Sequence, residues 1–136
     1  MIYLDSSALL KLLFEEAESA DLAMWLEARP ETPKVSSHLA WIDVARACRR
    51  INPDVMGAAS ELLAGVDAVP MDAAIVGKAS SVGGLALRGP DAIHLASALS
   101  LGGELSALVS YDHRLVAAAK AEGCPVVTPS GRTQSP

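Results

Sequence analysis

The chain has 136 residues, a mass of 14.1 kDa and a formal net charge of −5, with 51% apolar but only 4% aromatic residues. This length fits one compact domain whose core is built from Ala, Leu, Val and Ile. The negative charge argues against a broad basic surface that binds nucleic acid through phosphate neutralisation alone.

The first half of the chain alternates short β-prone runs with helical patterns. The predicted order is strand 2–4, helix 8–13 capped by the Ser6-Ser7 pair, helix 16–28, strand 34–36, helix 37–50 capped by Ser37, and helix 54–63. Pro30 and Pro33 end the second helix, and Asn52-Pro53 separates the last two.

The second half continues the alternation. It predicts a strand over 66–71, which is weakened by Pro70 and therefore suits a sheet edge, and then a helix that is capped by Asp72 and ends near Gly83-Gly84. The remaining predicted elements are helix 92–101, strand 105–110, helix 114–122 ended by Gly123, and strand 125–128. Such alternation implies right-handed crossovers and a mainly parallel sheet covered by helices on both faces. We expect one α/β domain over residues 1–129 and a flexible tail over 130–136.

Three features bear on where the protein works. The N-terminus reaches Asp5 without a basic region, which is untypical of a secretory signal. The longest apolar stretch, 92–109, is interrupted by polar residues and glycines and is unsuited to spanning a membrane. Cys48 and Cys124 match no disulfide or zinc pattern. We therefore expect a cytoplasmic protein with reduced thiols.

Four aspartates are candidates for a common site. Asp5 and Asp112 each follow an apolar run predicted as a strand, so adjacent parallel strands deliver both to one edge of the sheet, where ligands bind in such folds. Asp91 lies at the start of a helix whose mouth faces the same edge, and Asp43 lies inside a helix. Clustered carboxylates repel one another unless a cation lies among them, and Mg²⁺ or Mn²⁺ suits oxygen ligands. A metal so held fits phosphodiester hydrolysis.

Each acid also has a simpler interpretation when it is taken alone. Asp5, Asp91 and Asp112 could be helix caps, and Asp43 could be a solvated residue paired with Arg46 or Arg50 at helical spacing. His94 falls on the apolar side of its helix, where a buried hydrogen-bonding imidazole is commoner than a ligand.

Three motifs resemble those of PIN-domain ribonucleases, specifically the VapC toxins of VapBC modules. They are Asp5-Ser6-Ser7-Ala8-Leu9, Arg88-Gly89-Pro90-Asp91-Ala92-Ile93-His94-Leu95-Ala96 and Ser110-Tyr111-Asp112-His113-Arg114-Leu115. The resemblance covers nearly the whole chain. It implies a three-layer sandwich with a five-stranded parallel sheet, Mg²⁺ or Mn²⁺ as cofactor, endonuclease action on RNA, a homodimer, and inhibition by a cognate antitoxin protein.

The resemblance also assigns roles to residues. It implies that Asp5, Asp91 and Asp112 are catalytic metal-binding acids, with Asp43 as the fourth, although the related proteins usually have Glu there. Ser6 and Ser110 match hydroxyls that orient the site. As a hypothesis from the residues themselves, five arginines contact substrate phosphates around the acids: Arg46, Arg49, Arg50, Arg88 and Arg114. The simpler interpretation is that these arginines only keep the surface soluble.

Two other functions are compatible with part of this pattern. An aspartyl-phosphate phosphatase or receiver also places acids at strand ends, but the chain lacks an Asp-x-Asp after the first strand. A catalytically weak module that binds RNA or protein would keep the fold and lose metal affinity through Asp43. Stabilisation by Mn²⁺ distinguishes this module from a nuclease.

Overall fold

The computed structural model of the chain describes residues 1–131. The strands are β1 (Ile2–Leu4), β2 (Lys34–Ser37), β3 (Val66–Val69), β4 (Ala107–Val109) and β5 (Val126–Val127). The helices are α1 (Ser6–Leu13), α2 (Ser19–Glu27), α3 (Leu39–Ile51), α4 (Met56–Ala64), α5 (Ala73–Ala79), α6 (Gly89–Leu99) and α7 (His113–Ala121). Single 3₁₀ turns cover Pro53–Val55 and Gly102–Glu104.

The strands form one parallel sheet in the order β3-β2-β1-β4-β5. Tyr3 in the central strand is in register with Val35 on one side and with Leu108 on the other. Because all the strands run the same way, their carboxyl ends meet at one edge, which we call the site edge. The predicted parallel sheet is confirmed, and β3 lies at its border as the proline beside it indicated.

Two apolar cores lie on opposite faces of the sheet. Ile2 and Leu4 point to the side covered by α1 to α4, where Leu9 and Val44 are fully buried. The intervening Tyr3 points to the other side, where α6 and α7 bury residues such as Leu95, Leu108 and Leu115. This alternation along β1 follows from the two-residue period of a strand. The molecule is therefore a three-layer α/β sandwich, as predicted.

Several predicted helix starts were wrong. Asp5, not Ser6 or Ser7, caps α1, since its Oδ1 accepts from the Ala8 amide at 2.9 Å. The helix predicted to begin at residue 16 begins at Ser19, whose hydroxyl accepts from the Glu16 amide and holds that segment in a turn. These errors share one cause: short-range side-chain bonds choose the first helical residue among several suitable ones.

Helix starts further along the chain also differ from the prediction. The segment from residue 54 opens as a 3₁₀ turn, with Asn52 accepting from the Asp54 amide, before α4 begins. His38, one residue past the predicted cap Ser37, occupies the N-cap position of α3. Gly89 and Pro90 form the first turn of α6, because proline suits that position, so Asp91 lies within the helix and does not cap it.

Two further predicted details, the cap at Asp72 and the helix end at Gly123, are confirmed. Asp72 caps α5 by accepting from the Ile75 amide at 2.9 Å. Gly123 has a positive φ of 75°, the left-handed conformation that ends α7. Cys48 and Cys124 are buried and free. Within residues 1–131 no helix is both long and apolar enough to cross a membrane. Most of the predicted tail, 132–136, lies outside the described residues.

Candidate metal centre at the site edge

Asp5 is the buried centre of the site edge. It follows β1 directly, and only 2% of its surface is exposed. Its Oδ1 accepts from the Ser7 hydroxyl (2.7 Å) and the Ala8 amide (2.9 Å), and its Oδ2 accepts from the Ser110 hydroxyl (2.6 Å). Burial raises the pKa of Asp5, while nearby His94 and the hydrogen bonds lower it in part. The carboxylate is therefore fixed in orientation but costly to ionise.

Asp91 and Asp112 lie beside it on the same edge. Burial raises the pKa of Asp91, and repulsion from Asp112 and then from Asp5 raises it further. Asp112 follows β4 and caps α7, its Oδ1 accepting from the amides of Arg114 (2.9 Å) and Leu115 (3.0 Å). Asp112 can therefore cap a helix and belong to the acidic cluster at the same time. Asp91 therefore lies close enough to the other two acids for their charges to raise its pKa.

Asp43 approaches from α3 and is held by different partners. The Ser6 hydroxyl donates to its Oδ2 at 2.6 Å, and His94 Nε2 lies 3.9 Å from the same oxygen. His94, followed by Ser6, lowers the pKa of Asp43 against an opposing effect of burial. Among the described residues, no ion pair joins Asp43 to an arginine. The simpler interpretation of Asp43, as a residue paired with Arg46 or Arg50, was therefore wrong.

An open cleft of about 610 Å³ contains two of the acids. Its lining consists of Arg88, Pro90, Asp91, Tyr111, Asp112, His113 and Arg114. Arg46 is not part of this cleft: it borders a separate cavity of about 410 Å³ together with Arg49 and Arg50 on the exposed side of α3. The predicted arginines therefore form two groups, one beside the acids and one along α3.

The side chains fit a hard divalent cation by their chemistry. The site edge offers carboxylate oxygens, which Mg²⁺ and Mn²⁺ prefer, and the repulsion that raises the pKa of Asp91 is what a cation would relieve. In the part of the chain that is described, however, no three His, Cys, Asp or Glu side chains are already arranged to hold one ion.

Two residues contribute to the site without having been predicted. Ser7 links the residues that follow β1 and β4, because its hydroxyl donates to Asp5 and accepts from the Tyr111 amide at 2.9 Å. Tyr3 reaches His94 Nδ1 with its hydroxyl at 2.8 Å. For Tyr3 a sequence signal was available, because the hydroxyl of a tyrosine within a fully buried strand needs a hydrogen-bond partner. The expectation that His94 is buried and hydrogen-bonded is confirmed, since it is 2% exposed.

Comparison with known proteins agrees with this architecture. A family model described as PIN domain matches residues 2–121. Ribonuclease VapC35 of Mycobacterium tuberculosis is 44% identical over 131 residues, which cover 95% of this chain and 97% of the relative. Ribonucleases VapC46 and VapC47 of the same organism are 41% and 38% identical, each over 95% of this chain. The chain therefore belongs to the PIN domain family and, within it, to the VapC group.

Proposed function

We propose that this chain is a metal-dependent endoribonuclease and the toxin of a toxin–antitoxin pair. The relatives that it matches over almost their full length are named ribonucleases. The observation that carries the proposal is the position of Asp5, Asp91 and Asp112 at the carboxyl edge of a parallel sheet, where the charges of Asp112 and Asp5 raise the pKa of Asp91. A cytoplasmic homodimer and a cognate antitoxin protein belong to the same proposal.

In this proposal Asp5, Asp43, Asp91 and Asp112 would hold Mg²⁺ or Mn²⁺. The bound ion would supply an activated water and neutralise charge on the phosphodiester. Ser110 fixes Asp5 Oδ2, and Ser6 fixes Asp43 Oδ2, so the two hydroxyls orient one acid each. The buried position of Asp5 keeps competing water away from its carboxylate.

The test of the function uses the purified full chain and a pool of cellular RNA. We expect internal cleavage with Mn²⁺ or Mg²⁺ and none with a chelator, because clustered acids alone offer no activated nucleophile. Fragment ends mapped by sequencing separate internal cuts from trimming at the termini. Intact RNA under both metals, with folded protein, would contradict the proposal.

The cleft arginines are proposed to bind RNA phosphates on either side of the acids. Changing Arg88 and Arg114 together to Gln is expected to flatten the salt dependence of RNA binding. The slope of log affinity against log salt should fall by about 1.4, since each contact to a single strand contributes about 0.7. Binding is measured by anisotropy with chelator present, so that the RNA stays uncut.

Arg29 provides the matched control for that double variant. It stacks over Trp25 with 3.9 Å between its guanidinium carbon and the ring centroid. It borders a cavity with Ile2 and Thr32, at the sheet edge opposite the acids. Arg29→Gln should leave the slope unchanged. An equal effect of this variant, or none from the cleft pair, would contradict phosphate binding in the cleft. Arg46 is proposed to contact RNA further along α3.

A further inference from the structure

A continuous line of hydrogen bonds links the interior of the sheet to Asp43. The Ser37 amide donates to the Tyr3 hydroxyl (2.9 Å), and that hydroxyl lies 2.8 Å from His94 Nδ1. On the other side of the imidazole, Nε2 lies 2.9 Å from the Ser6 hydroxyl, which donates to Asp43 Oδ2 at 2.6 Å. We call this line the relay. It joins β1, β2, α1, α3 and α6.

The buried end of the relay lies on the Nδ1 side of the imidazole. A backbone amide only donates, so the Tyr3 oxygen accepts from Ser37, and its single proton is available for His94 Nδ1 or for the nearby hydroxyls of Ser36 and Ser97. Burial raises the pKa of Tyr3, so the hydroxyl keeps that proton. Where Nδ1 accepts the Tyr3 proton, the imidazole carries its own proton on Nε2.

The acceptors at the other end require the same tautomer. The Ser6 proton is directed to the Asp43 carboxylate, which leaves the Ser6 oxygen to accept from His94 Nε2. With the proton on Nδ1 instead, an Nε2 lone pair would lie 3.9 Å from the carboxylate, and Ser6 could donate to only one of the two. The Nε2 proton therefore points to Ser6, and the Ser6 proton points to Asp43.

The surroundings hold the imidazole in place. Tyr3 is fully buried and His94 is 2% exposed. Their rings meet edge to face, with centroids 5.8 Å apart and an interplanar angle of 77°. A ring packed in this way has little freedom to rotate, so its hydrogen bonds are formed before any ligand binds. Asp43, by contrast, is only partly buried on α3 and depends on Ser6 and His94 for its orientation.

We propose, on the basis of the function proposed above, that His94 is a positioning residue which Tyr3 contacts at Nδ1 and which fixes the Asp43 carboxylate through Ser6. Asp is one methylene shorter than Glu, so its carboxylate sits close to α3. The relay extends from the sheet to meet it there. Neither His94 nor Tyr3 contacts substrate in this proposal, and each acts through Asp43.

A pair of variants separates the two ends of the imidazole. His94→Gln can present an amide N–H near the Nε2 position, whereas His94→Asn reaches only the Nδ1 position. We expect Asn to weaken Mn²⁺ binding and to lower kcat by about tenfold to a hundredfold, as for other residues that support metal ligands, with KM little changed. Gln should recover most of the loss. Equal loss in both variants, or a loss in KM alone, would overturn the proposal.

A double-mutant cycle tests whether His94 acts through Asp43. In the Asp43→Asn background, His94→Asn should have less than about a twofold further effect on Mn²⁺ affinity, because coupled residues are not additive. Full additivity would assign His94 a packing role only. Ser6→Ala, which leaves both buried rings in place, should reproduce the loss of His94→Asn and so guards against misfolding of that variant.

The tautomer can be read directly without metal or RNA. Nitrogen-15 NMR of the imidazole in the full chain should show His94 protonated on Nε2. A wild-type Nε2 without a proton would overturn the relay whatever the protein cleaves. Intact RNA in the cleavage assay would instead overturn the proposed function, so the two failures are distinguishable.

Discussion

Replacing Asp5 by Asn is expected to lower metal-dependent RNA cleavage by more than a hundredfold while the protein stays folded. Loss of residues that merely support metal ligands costs about 10- to 100-fold, so loss of a proposed ligand should exceed that range. Asn keeps an oxygen that can accept from the Ala8 amide, so α1 retains its cap. Burial already raises the pKa of Asp5, so a neutral side chain is tolerated at this position.

The measurement is a single-turnover cleavage rate at saturating Mn²⁺, with circular dichroism to verify folding. Asp72→Asn is the matched control, because Asp72 caps α5 through Oδ1, as Asp5 caps α1, and Asn caps equally well. The control should cleave like wild type. Cleavage by Asp5→Asn within about threefold of wild type would mean that Asp5 is only a cap, the simpler interpretation of this residue.

The alternation of strands and helices and the edge on which the acids lie could be predicted from the sequence. Asp5 and Asp112 follow apolar runs, and parallel strands that pair directly bring their following residues together. Asp43 was the least securely predicted acid, because a single carboxylate inside a helix gives no local signal of its partners. The structure supplies Ser6 and His94 as those partners.

The relay could not be predicted because its contacts join residues far apart in the chain. Tyr3 and His94 are 91 positions apart, and Ser6 and Asp43 are 37 apart. Their proximity depends on how α6 and α3 pack on opposite faces around β1, which periodicity does not report. Local sequence patterns predict the helices and strands. Which side chains pair between layers depends on packing distances that only the folded chain defines.

The stability of the metal-free protein is expected to depend on pH. The pKa values of Asp5 and Asp91 are raised above 3.8 in the folded protein, so in the window above 3.8 the folded state binds more protons than the unfolded state. The free energy of unfolding of the metal-free protein should therefore fall as pH rises through those raised values. Asp43, whose pKa is lowered, contributes the opposite trend below 3.8.

Mn²⁺ at a hundredfold its Kd should add about 2.7 kcal/mol to the free energy of unfolding near neutral pH. The gain should shrink as the pH falls, because protons compete for the same carboxylates. Urea denaturation from pH 4 to 7, with chelator or with Mn²⁺, measures both effects.

Asp91→Asn distinguishes repulsion among the acids from a general effect of pH. Removing this charge relieves the repulsion from Asp112 and Asp5, so the metal-free variant should be more stable than wild type at neutral pH and should lose most of the Mn²⁺ gain. Asp67→Asn, an exposed change on the border strand β3, should alter neither quantity. No stabilisation of wild type by millimolar Mn²⁺ would instead favour a binding module that keeps the PIN fold without its metal. If Asp91→Asn is more stable than wild type but no longer gains stability from Mn²⁺, the repulsion among the acids both destabilises the metal-free protein and contributes to its affinity for a cation.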